Sequence, residues 1–253
     1  MDFLAEKVFS NNERTWVAAN AKDVTDEPAT SLYRGFYLNE YSQDPDIANL
    51  LQRQIKEQSS TLPSMTPHME EKAILAFIWD SRFEDQLKKR LGPGTFTHLR
   101  EIIPPNWIVG QEKHFAPGLP GNMTTSAGLA NLSRSKRAFV LKPSGFSESS
   151  SWAGGVNFLH AKSKANTARV LNLAENDRST LHVVQQFTKG AIRQMQYTSE
   201  QGDNVPMSVR IRLTPYFSVQ EGSNGQLVAI KATACEKTDF IHTSSDSINT
   251  AVK

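Results

Sequence analysis

The chain has 253 residues, enough for one large core or two moderate domains. Its 28 basic and 26 acidic side chains leave a net charge of +2, which argues against the concentrated basic footprint of a protein that grips nucleic acid regardless of sequence. The single cysteine, Cys235, excludes an internal disulfide and a thiolate zinc cluster. With no signal-peptide pattern and no run near the roughly 18 apolar residues of a membrane span, it points to a reducing, cytoplasmic setting without a membrane partner.

No internal repeat is visible. The first half, residues 1–121, reads as a mostly helical region. "DPDIANLLQRQIKEQ" puts Ile47, Leu50, Leu51 and Ile55 at helical spacing. "TPHMEEKAILAFIWDSRFEDQLKKRLG" reads as one long helix. Thr66-Pro67 suits its start, Met69, Ala73, Ala76, Phe77 and Phe83 form one face, and Leu91-Gly92 ends it. "GTFTHLREII" is a shorter helix that stops at Pro104-Pro105, and "NWIVG" is a short apolar segment. The Gly-, Pro- and Ser-rich stretch from Gln111 to Arg137 marks a boundary or a mobile loop.

Residues 122–253 read as strand-rich. "AFVLKP", "LHVVQQF", "MSVRIRLTPYFSV" and "QLVAIKATA" are β-branched or alternating runs bounded by turns. "AKSKANTARVLNLAEN" is a helix between the first two, and Asn224-Gly225 marks a hairpin between the last two. The sum is an α+β chain, a helical N-terminal half followed by a mainly antiparallel sheet subdomain.

Four stretches could carry chemistry. Lys142 closes the run Phe139-Val140-Leu141 and shares a strand face with Val140. A lysine there either reaches for solvent or meets an anion. The following loop favours the anion: Ser144-Gly145 and Gly154-Gly155 bracket the hydroxyls of Ser147, Ser149, Ser150 and Ser151, and glycines let backbone N–H groups close on phosphate. The order is not that of a P-loop, since the lysine precedes the glycines. Gln185 and Gln186 end an apolar strand and could read an adenine edge or simply meet solvent. Arg210 and Arg212 alternate with Val209, Ile211 and Leu213 and so share one face. That face is either solvated or takes phosphate or acyl-phosphate oxygens through guanidinium forks. Lys231 joins it if the hairpin register allows. In the tail, Glu236, Asp239, Asp246 and Asn249 are chemically suited to magnesium, but spacing selects none of them.

The order of these blocks resembles the ATP-grasp superfamily: a strand ending in Lys-Pro, a Gly/Ser-rich loop, a helix, a strand ending "VVQQF", then a strand carrying arginines. It is most similar to the circularly permuted, glutathionylspermidine-synthase-like branch. "FVLKPSGFSESSSW" carries the likeness most specifically. "LYRGFYLNEY", "MEEKAILAFIWD", "LREIIPPNWIV" and "RIRLTPYF" support it by order, from Leu32 to Val252. The resemblance implies an ATP-dependent carboxylate–amine or carboxylate–thiol ligase that works through an acyl phosphate, with ATP and Mg2+ as cofactors. Lys142 would contact nucleotide phosphate, with Ser144, Gly145, Ser147, Ser151, Gly154 and Gly155 in the loop that covers it. Gln185 and Gln186 would line the adenine, Lys231 would join the nucleotide site, and Arg210 or Arg212 would steady the acyl phosphate. The partners implied are a nucleotide and a small carboxylate or peptide. The metal-binding Glu-x-Asn pair of such enzymes is not found in the second half, and chains of the resembled group are longer at the N-terminus. The resemblance is therefore also compatible with a separate N-terminal partner chain in a split enzyme, or with a non-catalytic nucleotide-binding or scaffold protein.

Overall fold

The structure is a computed structural model. It describes residues 9–11, 14–19, 31–34, 37–38, 60–62, 64–111, 119, 123–145, 148–150, 154–218, 225–236, 238–242 and 247–251, with residues 45, 48, 49, 52 and 56 singly. The chain forms two compact units, Met1–Phe187 and Thr188–Lys253. This division falls after the strand that ends in Gln-Gln-Phe, not at the polar stretch following Gly121. The class is α+β.

The first unit holds two sheets. In one, β1 (Phe9–Asn11), β2 (Arg14–Ala19), β3 (Ser31–Arg34) and β4 (Ser60–Leu62) run in that order, with β2, β3 and β4 parallel. This sheet stands in a region that reads as mostly helical in sequence; strands of three to six residues are too short to show a period. Pro45, Ala48, Asn49, Gln52 and Lys56, the described part of the first expected helix, are helical.

The other sheet is antiparallel, in the order β5 (Asn106–Ile108), β8 (His182–Gln186), β6 (Phe139–Pro143), β7 (Asn157–Phe158). Its apolar runs are buried because both faces are covered. Trp107, Phe139, Leu141, Val183 and Val184 join Ala76, Leu129, Leu159 and Leu171 in one core. The Lys164–Asn176 helix starts where Ser163 Oγ accepts from the Asn166 N–H at 3.2 Å. It buries Thr167, Leu171 and Ala174, a stripe at i, i+4, i+7.

The expected long helix from Thr66 to Gly92 is broken twice, into three pieces. A 3-10 turn (Pro67–Met69) is followed by a short helix (Ile74–Phe77), then by the Glu84–Leu91 helix. Side chains compete with the backbone at each break. Glu71 Oε1 accepts from the Ala73 N–H at 3.2 Å, just before the short helix. Buried Asp80 accepts from the Arg82 N–H at 2.9 Å and from its guanidinium. Gly92, at φ +83°, then separates this helix from the Pro93–Ile102 helix, as Leu91-Gly92 in the sequence predicts.

The second unit is one antiparallel sheet ordered β12 (Ser247–Ala251), β11 (Gln226–Glu236), β10 (Asn204–Ser218), β9 (Arg193–Thr198). Strands β10 and β11 form the expected hairpin, with Ser218 opposite Gln226. Asn224 lies outside the described residues. Among the described residues, no helix is long and apolar enough to cross a membrane.

Candidate functional site

Directly opposed residues of an antiparallel pair point to the same side. Val140 opposes Gln185 and Phe158, and Lys142 opposes Val183. Lys142, Gln185 and Phe158 therefore share one face of the β5-β8-β6-β7 sheet. Gln186 opposes Phe139 and points to the other face, so the two glutamines are separated by the alternation of their strand.

Lys142 is mostly buried, and its ammonium donates to Gln185 Oε1 at 2.5 Å. Burial pushes its pKa below the ordinary lysine value, and the neighbouring Lys72 ammonium pushes it the same way. Lys72 arrives from the broken stretch between the 3-10 turn and the Ile74–Phe77 helix. Its Nζ donates to the Ser150 carbonyl at 2.6 Å. Burial lowers the pKa of Lys72 as well, against the attraction of Glu71 and Glu70. Lys142, on the strand that leads into the Gly/Ser-rich loop, thus feels the charge of Lys72, whose ammonium is held on that loop at Ser150.

The loop is pinned from the same stretch. Ser144 is 2% exposed. Its hydroxyl donates to Glu71 Oε1 and accepts from the Ala73 N–H at 2.8 Å, and its own N–H donates to the Leu181 carbonyl at 2.7 Å. Ser144 therefore spends its hydroxyl on holding the loop. Gly145 sits at φ +85°, and a Cβ there would stand 2.9 Å from Glu71 Oε2. At the far end, a Cβ on Gly155 would meet Pro143 Cγ at 2.4 Å and the Ser149 carbonyl at 2.6 Å. Ser150 Oγ donates to the Gly145 carbonyl, closing the loop across its base. Gly154 is exposed; Ser147 and Ser151 lie outside the described residues.

An aromatic cluster continues along the face. Phe158 meets Phe187 edge-on, with ring centroids 5.1 Å apart, and His160 stacks on Phe187 at 5.2 Å with 9° between planes. Lysines, amide and aromatic rings together offer an anion site with an apolar surface beside it.

Arg210, Arg212 and Lys231 belong to the second unit. The register sets Arg210 opposite Cys235, Arg212 opposite Thr233 and Thr214 opposite Lys231, so all three cations share one face. The strand's irregularity, between Tyr216 and Phe217, lies beyond both arginines. Their surroundings differ. Arg210 is buried; its Nε donates to the Gly190 carbonyl at 2.9 Å, and its Nη1 lies 3.4 Å from Asp239 Oδ1. Arg212 is exposed and Lys231 half-buried. Burial lowers the pKa of His242, and the charges of Arg212 and Lys231 lower it further. Of the oxygen-bearing tail residues, Asn249 accepts from Thr233 Oγ1 at 2.9 Å, Glu236 is exposed, and Asp246 lies outside the described residues. Among the described residues, no group of three or more His, Cys, Asp or Glu side chains is placed to hold a metal ion.

The sequence reading missed Glu71 and Lys72, which it took as part of a continuous helix. The available signal was their charge, three consecutive ionic residues at the start of an apolar run, "MEEKAILAF". No protein-family model and no curated protein matches the chain.

Proposed function

We propose that the sheet face around Lys142 binds the phosphates of ATP, and that the protein is an ATP-grasp-like ligase-like protein of the cytoplasm. The observation that carries the reading is the Lys142–Lys72 pair. Two half-buried ammonium groups repel each other, and among the described residues the acceptor on Lys142 is a neutral amide. Such a pair is stabilised by an anion with several oxygens, and a polyphosphate supplies them. The glycine-edged loop offers backbone N–H groups nearby, and Phe158 and Phe187 offer rings against which a base can pack.

The resemblance supplies the reaction. An oxygen of the acid substrate takes the γ-phosphoryl group, the bond to the β-phosphate breaks, and ADP leaves. An amine or thiol then attacks the acyl carbon, and inorganic phosphate leaves. Lysines that hold the phosphates contribute by positioning and by neutralising phosphoryl charge. Magnesium binds through oxygen atoms, keeping one or two carboxylates together with phosphates. Glu71, next to Gly145, is a donor of that kind and would hold the ion with the nucleotide. The role that the resemblance gives to Arg210 and Arg212 is a matter of turnover and is tested apart from binding.

Calorimetric titration with Mg2+-ATP tests the binding. A screen of carboxylates with amines and thiols, reading phosphate release, tests the reaction. Saturable binding with release supports a ligase. Binding without release across the screen supports a non-catalytic nucleotide-binding protein, and no ATP binding at millimolar concentration overturns both.

A further inference from the structure

We propose that Gln185 is a positioning residue for Lys142, not a reader of the purine base; this rests on the phosphate-site reading of Lys142. With Val140 opposite Gln185 and Lys142 opposite Val183, the two residues are diagonal neighbours on adjacent antiparallel strands. Long side chains reach each other at that separation, and Lys142 Nζ meets Gln185 Oε1. An ammonium has three donors and no acceptor, so it fixes the amide with its oxygen towards the lysine and its NH2 group away. A two-point amide reading of adenine needs that oxygen to accept from the N6 amino group while the NH2 donates to N7. Here the ammonium holds one lone pair of that oxygen and turns it towards the lysine, so the amide is oriented for Lys142 and not for a base edge. Gln186 cannot substitute on this face, because it points to the other side of the sheet.

The chemistry of a neutral acceptor explains the choice. A glutamate at this position would orient Lys142 equally well and cancel its charge, leaving less for a phosphate. An amide oxygen orients the ammonium and leaves the charge in place. Among the described residues, the charged groups that act on it are few. Lys72 faces Lys142 from the stretch before the Ile74–Phe77 helix, and Glu70 and Glu71 act on Lys72. Gln185 therefore sets both where the Lys142 ammonium stands and how readily it keeps its proton.

The test measures the Lys142 pKa by trace acylation across pH with mass-spectrometric readout, in the wild type, Gln185→Leu, Gln185→Glu and, as a control, Lys72→Met. Calorimetry on the same proteins uses Mg2+-tripolyphosphate, Mg2+-ATP and Mg2+-GTP. Gln185→Leu should lower the Lys142 pKa further, while Gln185→Glu and Lys72→Met should raise it. Gln185→Leu, by loosening the ammonium, and Gln185→Glu, by cancelling its charge, should each weaken all three ligands without regard to the base, by roughly 3- to 10-fold. The ATP-to-GTP ratio should stay put. An unchanged Lys142 pKa in both glutamine variants overturns the proposal, and so does a tenfold change in the ATP-to-GTP ratio. If the wild type binds none of the three ligands, the nucleotide reading fails, and the acylation arm still decides whether Gln185 governs Lys142.

Discussion

Replacing Lys142 by methionine separates the two consequences of a buried, uncancelled ammonium. Methionine keeps most of the stem and removes the charge. A hydrogen bond from a charged group is worth about 1.5–3 kcal/mol, so ATP should bind about 10- to 150-fold more weakly to Lys142→Met at 1.4 kcal/mol per decade. The free protein should behave differently. Burial and Lys72 hold the folded-state pKa of Lys142 below 10.5, so the unfolded chain keeps this proton to higher pH than the folded one. The charged lysine is thus destabilising below its folded pKa, and the penalty fades as pH rises towards the unfolded value. At neutral pH the variant sheds that penalty, which offsets the loss of the Gln185 contact, itself a bond from a charged group. For a protein of this size each kcal/mol moves Tm by about 2–4 °C. Calorimetric titration and a thermal melt at pH 7 read both effects. Expected are a large loss of ATP affinity and a Tm that holds or rises. ATP affinity within threefold of wild type would refute the phosphate contact. A Tm fall of more than about 5 °C would refute the view that the lysine charge is uncompensated in the free protein.

Other outcomes follow from single contacts. Gly155→Ala forces a Cβ into Pro143 and the Ser149 carbonyl and should cost about 1–3 kcal/mol in chemical denaturation. Gly94→Ala, with nothing within 4 Å, should be neutral or slightly stabilising; equal losses at both sites would contradict the loop packing. Lys231→Met should raise the pKa of His242, followed by its imidazole proton shift in NMR, because one of the two repelling cations is gone; an unchanged titration would show that Lys231 does not act there. Asp177 accepts from His182, Ser179 and the Thr180 N–H, which holds its carboxyl well below the usual carboxylate range. Its contribution is present above the unfolded value near 3.8 and is lost as pH falls below it. Asp177→Asn should therefore flatten the fall of Tm between pH 5 and pH 3, and an unchanged slope would count against this.

Most of the second half was legible in the sequence, for a physical reason. Apolar runs such as Phe139–Pro143 and His182–Gln186, and the pairing of β10 with β11 as a hairpin, report local rules that the tertiary structure keeps. The same alternation placed Arg210 and Arg212 on one face, and the hairpin register then added Lys231 to it. The N-terminal sheet was not legible, because strands as short as Ser31–Arg34 and Ser60–Leu62 carry no period and are made by pairing across about 30 residues of chain. The long helix failed for a related reason. Its apolar spacing is real, but Glu71 and Asp80 draw backbone N–H groups to their side chains and break it, which turns Lys72 towards Lys142. The sequence also treated Gln185 and Gln186 as one feature, although a strand must send neighbours to opposite faces.

The most direct measurement is a crystal structure of the protein with Mg2+ and a non-hydrolysable ATP analogue. A nucleotide site on this face predicts phosphate oxygens within about 3 Å of the Lys142 and Lys72 ammonium groups, with Gln185 Oε1 still on Lys142. A nucleotide whose phosphates lie away from both lysines, or crystals that take up no nucleotide, would contradict it.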